Sequence, residues 1–330
     1  MKDSPEKRAY FAQGIEPVCG DPAHPETYIY RVKSSGVHVR EHVIDSGLGG
    51  EAVEIVQITD VHFNAFDEED EQNEELMLTK AGRQWLRGGA SVAGIRKAME
   101  YARFADQTVI TGDTLDFLSH AAMELTQKYI WDVDPSALIT LGGHDITRSM
   151  QSPQPDRTSL ASRLAILRGF WKHDLFYESR LIGGKALVVA LDNGCGRYRE
   201  EQIPKLEADI ALARENGYVL LLFQHEPIDT GRPEDAALPA IRVYDPPTWN
   251  ARLAIGSPDL PADPATEQVL RLIKENADVV RGIYCGHQHS AFYCEVLASC
   301  RGVPSVIPQY ILEGNPYDGQ CGHVLRITVK

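Results

Sequence analysis

The chain has 330 residues, and its 33 Lys and Arg against 47 Asp and Glu give a formal net charge of −14. Hydrophobic residues make up 43% and charged residues 24%, which is typical of a globular protein and excludes disordered and low-complexity chains. The acidic balance argues against sequence-independent nucleic-acid binding, which needs a basic surface, so no nucleic-acid partner is expected.

Alternating apolar and polar residues predict a β-hairpin formed by Thr27–Val32 and Val37–Val43. Short apolar runs predict buried strands at Ile55–Thr59, Thr108–Thr111, Ala137–Leu141, Ala186–Leu191, Tyr218–Gln224 and Val279–Cys285. Amphipathic periodicity predicts helices between them at Val92–Phe104, Met123–Trp131, Gln202–Glu215 and Thr266–Glu275. The tail adds predicted strands at Ala291–Leu297, Ser305–Ile307 and His323–Val329. This alternation predicts an α/β core.

Three regions stand apart from this pattern. Residues 1–50 are predicted to form an N-terminal extension that packs its hairpin on the core, and residues 51–330 the main domain. Asp67–Glu75 holds seven carboxylates in nine residues and is predicted to be a solvated loop, with additional metal binding as the alternative. Residues 227–264 hold eight of the 19 prolines, which predicts an ordered insertion at about 229–265 that could wall a pocket.

The sequence also bears on where the chain resides. The first residues are polar, and the purest apolar runs are far shorter than the roughly 20 residues that a membrane-spanning helix needs. Six cysteines without a CxxC pair are expected to be reduced thiols. We therefore expect a cytoplasmic protein without a membrane partner, and the sequence does not indicate its oligomeric state.

Five predicted strands are followed at once by Asp or His residues. The five segments are Asp60-Val-His62, Gly112-Asp113-Thr-Leu-Asp116, Gly142-Gly143-His144-Asp145, Gln224-His225 and Gly286-His287-Gln-His289. Functional sites in open α/β sheets gather at the carboxyl ends of strands, so these segments can converge. Carboxylates and imidazoles without thiolates suit Zn, Mn or Fe. The expected metal ligands are Asp60, His62, Asp113, His225, His287 and His289. For any one of these residues alone, the alternative is capping or turn chemistry, or for His225 a structural core histidine.

The ordered series of these five motifs resembles the calcineurin-like metallophosphoesterase superfamily over roughly residues 54–330. The resemblance implies a four-layer α/β/β/α sandwich with two central mixed β-sheets and a centre of two divalent or trivalent transition metal ions. It assigns Asp60, His62, Asp113 and His289 to metal one. It assigns Asp113 as the bridge, with His225 and His287, to metal two.

The resemblance also implies roles outside the ligand set. His144 would contact the phosphoryl group and assist leaving-group departure, and Asp145 would orient His144. Asp116 would lie behind the ligands and fix their geometry, with a helix N-cap as an equal alternative. Because purple acid phosphatases would carry a metal-binding tyrosine at that position, a tyrosine-ligated ferric centre is not expected. Arg148 and Arg197 are candidate phosphate anchors, with plain surface charge as the alternative.

Gly143 departs from the family pattern. The superfamily normally has Asn at this position, and that Asn is expected to bind metal two through its amide oxygen. Water, a backbone carbonyl or a nearby acid could substitute, and metal two could otherwise bind more weakly.

The resemblance therefore implies a phosphohydrolase that uses a hydroxide bridging two metal ions to hydrolyse a small phosphoester. A phosphodiester is favoured over a monoester. Two divalent ions would add four positive charges at the site, so the acidic net charge does not exclude an anionic substrate. Gly143 raises the alternative of a non-catalytic or single-metal scaffold of the same fold. A DNA-repair nuclease of the superfamily is a third possibility, which the acidic balance disfavours.

Overall fold

A computed structural model of the chain describes residues 15–21, 24–32, 35–82, 90–147, 159–232, 254–258, 260–315 and 321–330. The strands are β1 Ile15–Asp21, β2 His24–Val32, β3 His38–Ile44, β4 Val53–Ile58, β5 Gln107–Thr111, β6 Leu138–Thr140, β7 Tyr177–Ile182, β8 Ala186–Leu191, β9 Val219–Phe223, β10 Val280–Cys285, β11 Phe292–Cys300, β12 Val303–Ile311 and β13 His323–Val329. The helices are α1 Glu74–Gly82, α2 Ala90–Ala102, α3 His120–Thr126, α4 Leu160–Phe170, α5 Ile203–Asn216 and α6 Pro264–Glu275. A π-helical turn, Gln127–Trp131, continues α3.

The strands form two mixed sheets. The seven-stranded sheet has the order β1-β2-β3-β13-β4-β5-β6, and the six-stranded sheet has the order β11-β12-β10-β9-β8-β7. In the first sheet β4, β5 and β6 are parallel. In the second sheet β8, β9 and β10 are parallel. Parallel neighbours end at the same edge, so each sheet gathers three carboxyl ends together.

Strands β8 and β9 are apolar along their whole length because their two faces lie in different cores. In β9, Val219, Leu221 and Phe223 belong to the core between the two sheets. Leu220 and Leu222 instead belong to the core that the second sheet shares with α5 and α6. Burying one such leucine contributes about 1.5–3 kcal/mol relative to leaving it exposed.

Helices cover the outer face of each sheet. On the first sheet, Ile95 and Met99 of α2 pack with Ile58 of β4. On the second, Leu206 of α5 and Ile273 of α6 pack with the outward residues of β9. The four-layer α/β/β/α sandwich with two mixed sheets is thus confirmed.

The first and last strands belong to the seven-stranded sheet. The predicted hairpin is present as β2 and β3, and β3 pairs in parallel with β13 along its whole length. The hairpin therefore extends the sheet, while the division into an extension at 1–50 and a domain from 51 remains a prediction. Most of the predicted insertion at 229–265 lies outside the described residues, and its described ends meet where Ile228 pairs with Ile255.

The acidic stretch Asp67–Glu75 differs from the solvated loop that the sequence predicts. Asp70 is only 3% exposed, because its carboxylate accepts hydrogen bonds from the N–H groups of His120 and Ala121 at 2.7 and 3.0 Å. Glu75 is also buried, in α1. The stretch therefore includes a carboxylate that caps α3. Within the described ranges, no helix has both the length and the apolar character to cross a membrane.

Candidate metal centre

The loops that follow the strands of the two sheets are hydrogen-bonded to one another. Within the first sheet, the N–H groups of Asp60 and His62 donate to the carbonyls of Gly112 and Asp113 at 3.1 and 2.8 Å. Between the sheets, the N–H of His287 donates to Oδ2 of Asp60 at 3.0 Å. These bonds place the predicted ligands of β4, β5 and β10 in one region.

The four residues assigned to metal one lie together. One potential ligand atom from each of Asp60, His62, Asp113 and His289 lies within 4.8 Å of the others. Oδ1 of Asp60 is 3.1 Å from Nε2 of His289 and 3.8 Å from Nε2 of His62. The two imidazole nitrogens are themselves 3.1 Å apart.

The residues assigned to metal two form an overlapping cluster. Asp113, His225 and His287 bring one potential ligand atom each within 4.8 Å of one another. Nε2 of His225 is 3.2 Å from Oδ2 of Asp113 and 3.2 Å from Nδ1 of His287. Nδ1 of His225 donates to the carbonyl of Thr111 at 2.9 Å, which leaves Nε2 as the nitrogen that faces the cluster. Asp113 is the member that both clusters share.

The donor set fits metal ions. Oδ1 of Asp60 is buried, and its close polar neighbours are the ring nitrogens of His289 and His62 at 3.1 and 3.8 Å. Two nitrogens bound to one metal at about 2.0–2.1 Å lie roughly 3.0–3.4 Å apart, which is the spacing of both histidine pairs. One cation in each cluster would satisfy the pair of nitrogens in that cluster, and the cation of the first cluster would also satisfy the buried oxygen of Asp60.

The electrostatics of the metal-free centre indicate the same preference. Burial disfavours the charged forms of these groups, but for most of them their mutual contacts outweigh it. Charge and hydrogen bonding from His289 hold the pKa of Asp60 well below its usual range. Hydrogen bonds to Asp116 and Asp60 overcome burial and raise the pKa of His62 to about 10. In contrast, burial lowers the pKa of His287 to about 4, so it stays a neutral donor. Carboxylates that draw a proton onto His62 would equally draw a metal ion.

The backbone is strained at most of the predicted ligands. Six non-glycine residues in the described ranges have φ in the left-handed region, and five of them are predicted ligands. They are Asp60 (47°), His62 (49°), Asp113 (48°), His287 (71°) and His289 (51°), and the sixth is Arg301 (51°). This conformation costs about 1–2 kcal/mol at each such residue, and strain of this kind clusters at functional sites.

His144 is oriented by Asp116 and not by Asp145. Nδ1 of His144 donates to the carbonyl of Asp116 at 2.9 Å and lies 3.2 Å from Oδ1 of the same residue. Asp145 instead accepts from the N–H groups of Leu115 and Gly142, both at 2.7 Å. The expected contact between Asp145 and His144 is therefore wrong, because the two strand-end loops occupy both oxygens of Asp145.

Asp116 contacts His62, one of the predicted ligands, and its role behind the metal ions remains a prediction. Its Oδ1 is 3.2 Å from Nδ1 of His62. The alternative role as a helix N-cap is not observed, since α3 begins at His120 with Ser119 as its N-cap.

Two asparagines that the sequence analysis overlooked support this arrangement. Nδ2 of Asn64 donates to Oδ2 of Asp116 at 2.8 Å. Oδ1 of Asn193 accepts from the N–H groups of His225 and Glu226 at 3.0 and 2.9 Å. A signal for Asn193 was present, because it follows the apolar strand β8 in the way that the predicted ligands follow theirs.

The candidate phosphate anchors have no observed place at the centre. Arg148 lies outside the described residues. Arg197 has a side chain that is 66% exposed, and its Nη1 is 4.0 Å from Oδ2 of Asp263. A role in substrate binding remains a prediction for both arginines.

No model of a known protein family and no curated protein matches the chain. Among solved structures, a dimetal phosphatase from Danio rerio is 14% identical, with 79% of this chain and 87% of that chain covered and a TM-score of 0.46. A calcineurin-like phosphoesterase from Bacillus subtilis is 13% identical, with 80% and 82% covered and a TM-score of 0.40. A purple acid phosphatase from yellow lupin is 11% identical, with 86% of this chain but only 48% of that chain covered and a TM-score of 0.47. At identities this low the likeness concerns the fold alone, and what the centre can do follows from its own residues.

Proposed function

We propose that this chain, whose fold and ordered motifs are those of the calcineurin-like metallophosphoesterase superfamily, is a metal-dependent hydrolase of small phosphoesters. One observation carries the proposal: ligands from four strand ends converge into two clusters that share Asp113. This arrangement suits phosphoryl transfer by two metal ions, because a shared carboxylate can hold both ions at the short separation that this chemistry uses.

The residues present would hold two ions of Mn, Zn or Fe. Asp60, His62, Asp113 and His289 would bind the first, and Asp113, His225 and His287 the second. When bound, such ions supply a nucleophile derived from water and neutralise charge on the phosphoryl oxygens.

His144 is the proposed proton donor. Its Nδ1 is held by Asp116, and its Nε2 lies 4.0 Å from Oδ2 of Asp113. The side chain is 18% exposed, so the imidazole is partly open to solvent. We expect His144 to bind a phosphoryl or leaving-group oxygen and to donate a proton there. Asp145 contributes by joining the loops that carry Leu115 and Gly142.

A small phosphodiester is the favoured substrate. The net charge of −14 disfavours a long polyanion, since only the local charge of bound ions attracts phosphate. A phosphomonoester is the alternative within the same chemistry.

The test is hydrolysis of aryl phosphomonoesters and aryl phosphodiesters by protein stripped of metal and resupplied with Mn²⁺ or Zn²⁺. We expect turnover that requires the metal and is abolished in Asp113→Asn. Asp278→Asn is the matched control, because Asp278 belongs to neither cluster and its carboxylate pairs with Arg214 at 2.9 Å. Absence of metal-dependent turnover of either ester would contradict the proposal.

A single-metal or non-catalytic scaffold is the second candidate, and Gly143 is the observation that favours it. Metal content separates the two candidates. Two ions per chain support the hydrolase, and one or none supports the scaffold.

We also propose a cytoplasmic location from the use of cysteine. Cys195 is an exposed free thiol and Cys285 a buried one. Free thiols of this kind are typical of a reducing compartment.

A further inference from the structure

The loop that follows β8 lies against Gly143, the position where the superfamily has an asparagine ligand. We propose that the main-chain carbonyl of Gly194 in this loop binds metal two in place of the missing amide oxygen. The inference rests on the proposed function, because it concerns the same dinuclear centre.

The carbonyl oxygen of Gly194 is the atom that a side chain at position 143 would meet first. A Cβ added to Gly143 would stand 3.2 Å from this oxygen, and no other atom of the described residues lies within 4 Å apart from its chain neighbours. The backbone of Gly143 has φ −60° and ψ −36°, which any residue adopts. At the place where the superfamily has the side chain of an asparagine, this chain therefore has the backbone oxygen of Gly194.

The Gly194 peptide is held in place from two sides. On one side, the preceding residue, Asn193, accepts hydrogen bonds from the N–H of His225, a predicted ligand of metal two, at 3.0 Å. On the other side, a Cβ on Gly194 would lie 2.6 Å from the carbonyl oxygen of Leu141 and 2.8 Å from Gly142. Because only glycine permits this close approach, the loop that follows β8 can lie between His225 and Gly143.

The Gly194 carbonyl also lacks a hydrogen-bond donor. Gly194 is buried, and across the described residues no N–H or side-chain group donates to its oxygen. Buried carbonyl groups nearly always have a partner. A metal ion held by Asp113, His225 and His287 would supply one, and neutral carbonyl oxygens are ordinary ligands of Mn²⁺.

Isotope labelling can observe this one carbonyl. Gly194-Cys195 is the only Gly-Cys pair in the sequence, so protein with ¹³C-carbonyl glycine and ¹⁵N-cysteine gives a single amide–carbonyl correlation. On titration with diamagnetic Zn²⁺, we expect the Gly194 carbonyl resonance to move downfield with the second equivalent. Labelling with ¹⁵N-histidine instead reports the carbonyls of Gly143, Gly286 and Gly322, which are not proposed ligands and should move less.

Substitution at Gly143 gives an independent test, in which calorimetry measures the affinity for the second metal ion. Gly143→Ala adds only the Cβ that crowds the Gly194 oxygen and should weaken this binding. Gly143→Asn adds the amide as well and should bind the second ion no more tightly than the wild type. Tightening by about ten-fold or more in Gly143→Asn would show that the ligand position was vacant and would overturn the inference.

The outcomes separate this inference from the proposed function. If two ions bind and phosphoesters are hydrolysed but the Gly194 carbonyl resonance does not shift, the inference is wrong and the proposed function stands. If the Gly194 carbonyl resonance shifts but no phosphoester is hydrolysed, the proposed function is wrong and the inference about the carbonyl ligand stands. Binding of one ion alone overturns the inference.

Discussion

The buried carboxylate of Asp116 lies 3.2 Å from Nδ1 of His62, on the side of the imidazole away from the metal centre. The other ring nitrogen, Nε2, therefore faces Asp113 at 3.6 Å. A hydrogen bond of this kind fixes the tautomer and the orientation of a metal-binding histidine. Since the same carboxylate oxygen also lies 3.2 Å from Nδ1 of His144, Asp116 connects a predicted metal ligand with the proposed proton donor.

Asp116→Asn is expected to weaken both functions of this contact. The amide keeps the volume but loses the charge that faces both imidazoles, so we expect metal affinity to fall about 10–100-fold and kcat to fall as well. Metal titration and steady-state kinetics measure the two effects. Asp278→Asn, at a surface carboxylate 2.9 Å from Arg214, is the control. If Asp116→Asn binds metal as tightly as the wild type does, Asp116 has only a structural role.

Backbone strain at His289 predicts an unusual order of stability. With φ at 51°, Ala at this position is strained and Gly is not, so His289→Gly should unfold at a higher denaturant concentration than His289→Ala. We expect a difference of about 1 kcal/mol in metal-free protein. At Glu207, on the exposed side of α5, the order should reverse, because Ala is favoured over Gly inside a helix. A more stable Ala variant at position 289 would contradict the strained backbone.

The positions of the predicted ligands follow from the sequence because of how the parallel strands are buried. Strands β4, β5, β9 and β10 are buried at nearly every position and are rich in apolar residues, so the Asp or His that follows each strand is conspicuous. Chemistry at a strand end is therefore the part of such a fold that a single sequence reveals best.

Other elements lack such a signal. Strand β7 lies at a sheet edge with Glu178, Ser179 and Arg180 only partly buried, and the sequence analysis did not predict it. Helix α4 buries only Leu164 and Leu167, too few to produce a helical period, and was also missed.

The supporting contacts depend on distant main-chain groups. Asp145 accepts from the N–H of Leu115, and Asn193 from the N–H of His225. A main-chain donor is the same for every residue type except proline, so it leaves no trace in the sequence of the partner segment. This is why the location of Asp145 at a strand end could be predicted from the sequence, whereas its hydrogen-bond partners could not.

Metal removal is expected to destabilise the protein in two separable steps. Each ion that binds only the folded state adds about 2.7 kcal/mol to the free energy of unfolding at 100 times its Kd. His289→Gln should lose the contribution of the first ion, and His287→Gln that of the second. Asp113→Asn, which belongs to both clusters, should lose both. Denaturant unfolding with and without a chelator measures these contributions, and an unchanged metal effect in Asp113→Asn would contradict the shared ligand.

The buried carboxylate of Glu313 predicts how stability depends on pH. Oε1 of Glu313 is 3.0 Å from Nδ1 of His323, and the nearby charge of Arg40 adds to this contact. Burial alone would raise the pKa of Glu313, but these contacts outweigh it and hold the pKa below the ordinary value of 4.5. The contribution of the carboxylate to stability is therefore present above pH 4.5 and is lost as the pH falls through the lowered pKa.

Glu313→Gln should reveal this dependence. At pH 7 the substitution leaves Arg40 and His323 without their anionic partner, and we expect a loss of about 3–5 kcal/mol in the free energy of unfolding. The difference from the wild type should narrow as the pH falls below 4.5, because the wild-type carboxyl then becomes neutral too. Denaturant unfolding at a series of pH values measures it. A difference that is constant from pH 7 to pH 3 would mean that Glu313 is not ionised in the folded protein.

The close packing around Gly286 predicts that a single added methyl group abolishes metal binding at the centre. A Cβ at this position would stand 1.9 Å from Oγ1 of Thr59 and 2.2 Å from Oδ2 of Asp60. Gly286→Ala should therefore displace the Asp60 carboxylate and the N–H of His287 that donates to it, so that metal one no longer binds.

Gly169→Ala is the matched control for this methyl group. Gly169 lies in α4, and a Cβ there meets nothing within 4 Å. This substitution should leave metal binding unchanged and stabilise the helix by about 0.5–1 kcal/mol. Calorimetric metal titration, with circular dichroism to verify folding, compares the two variants. A folded Gly286→Ala protein that binds metal one as the wild type does would show that Asp60 is not held where the centre requires it.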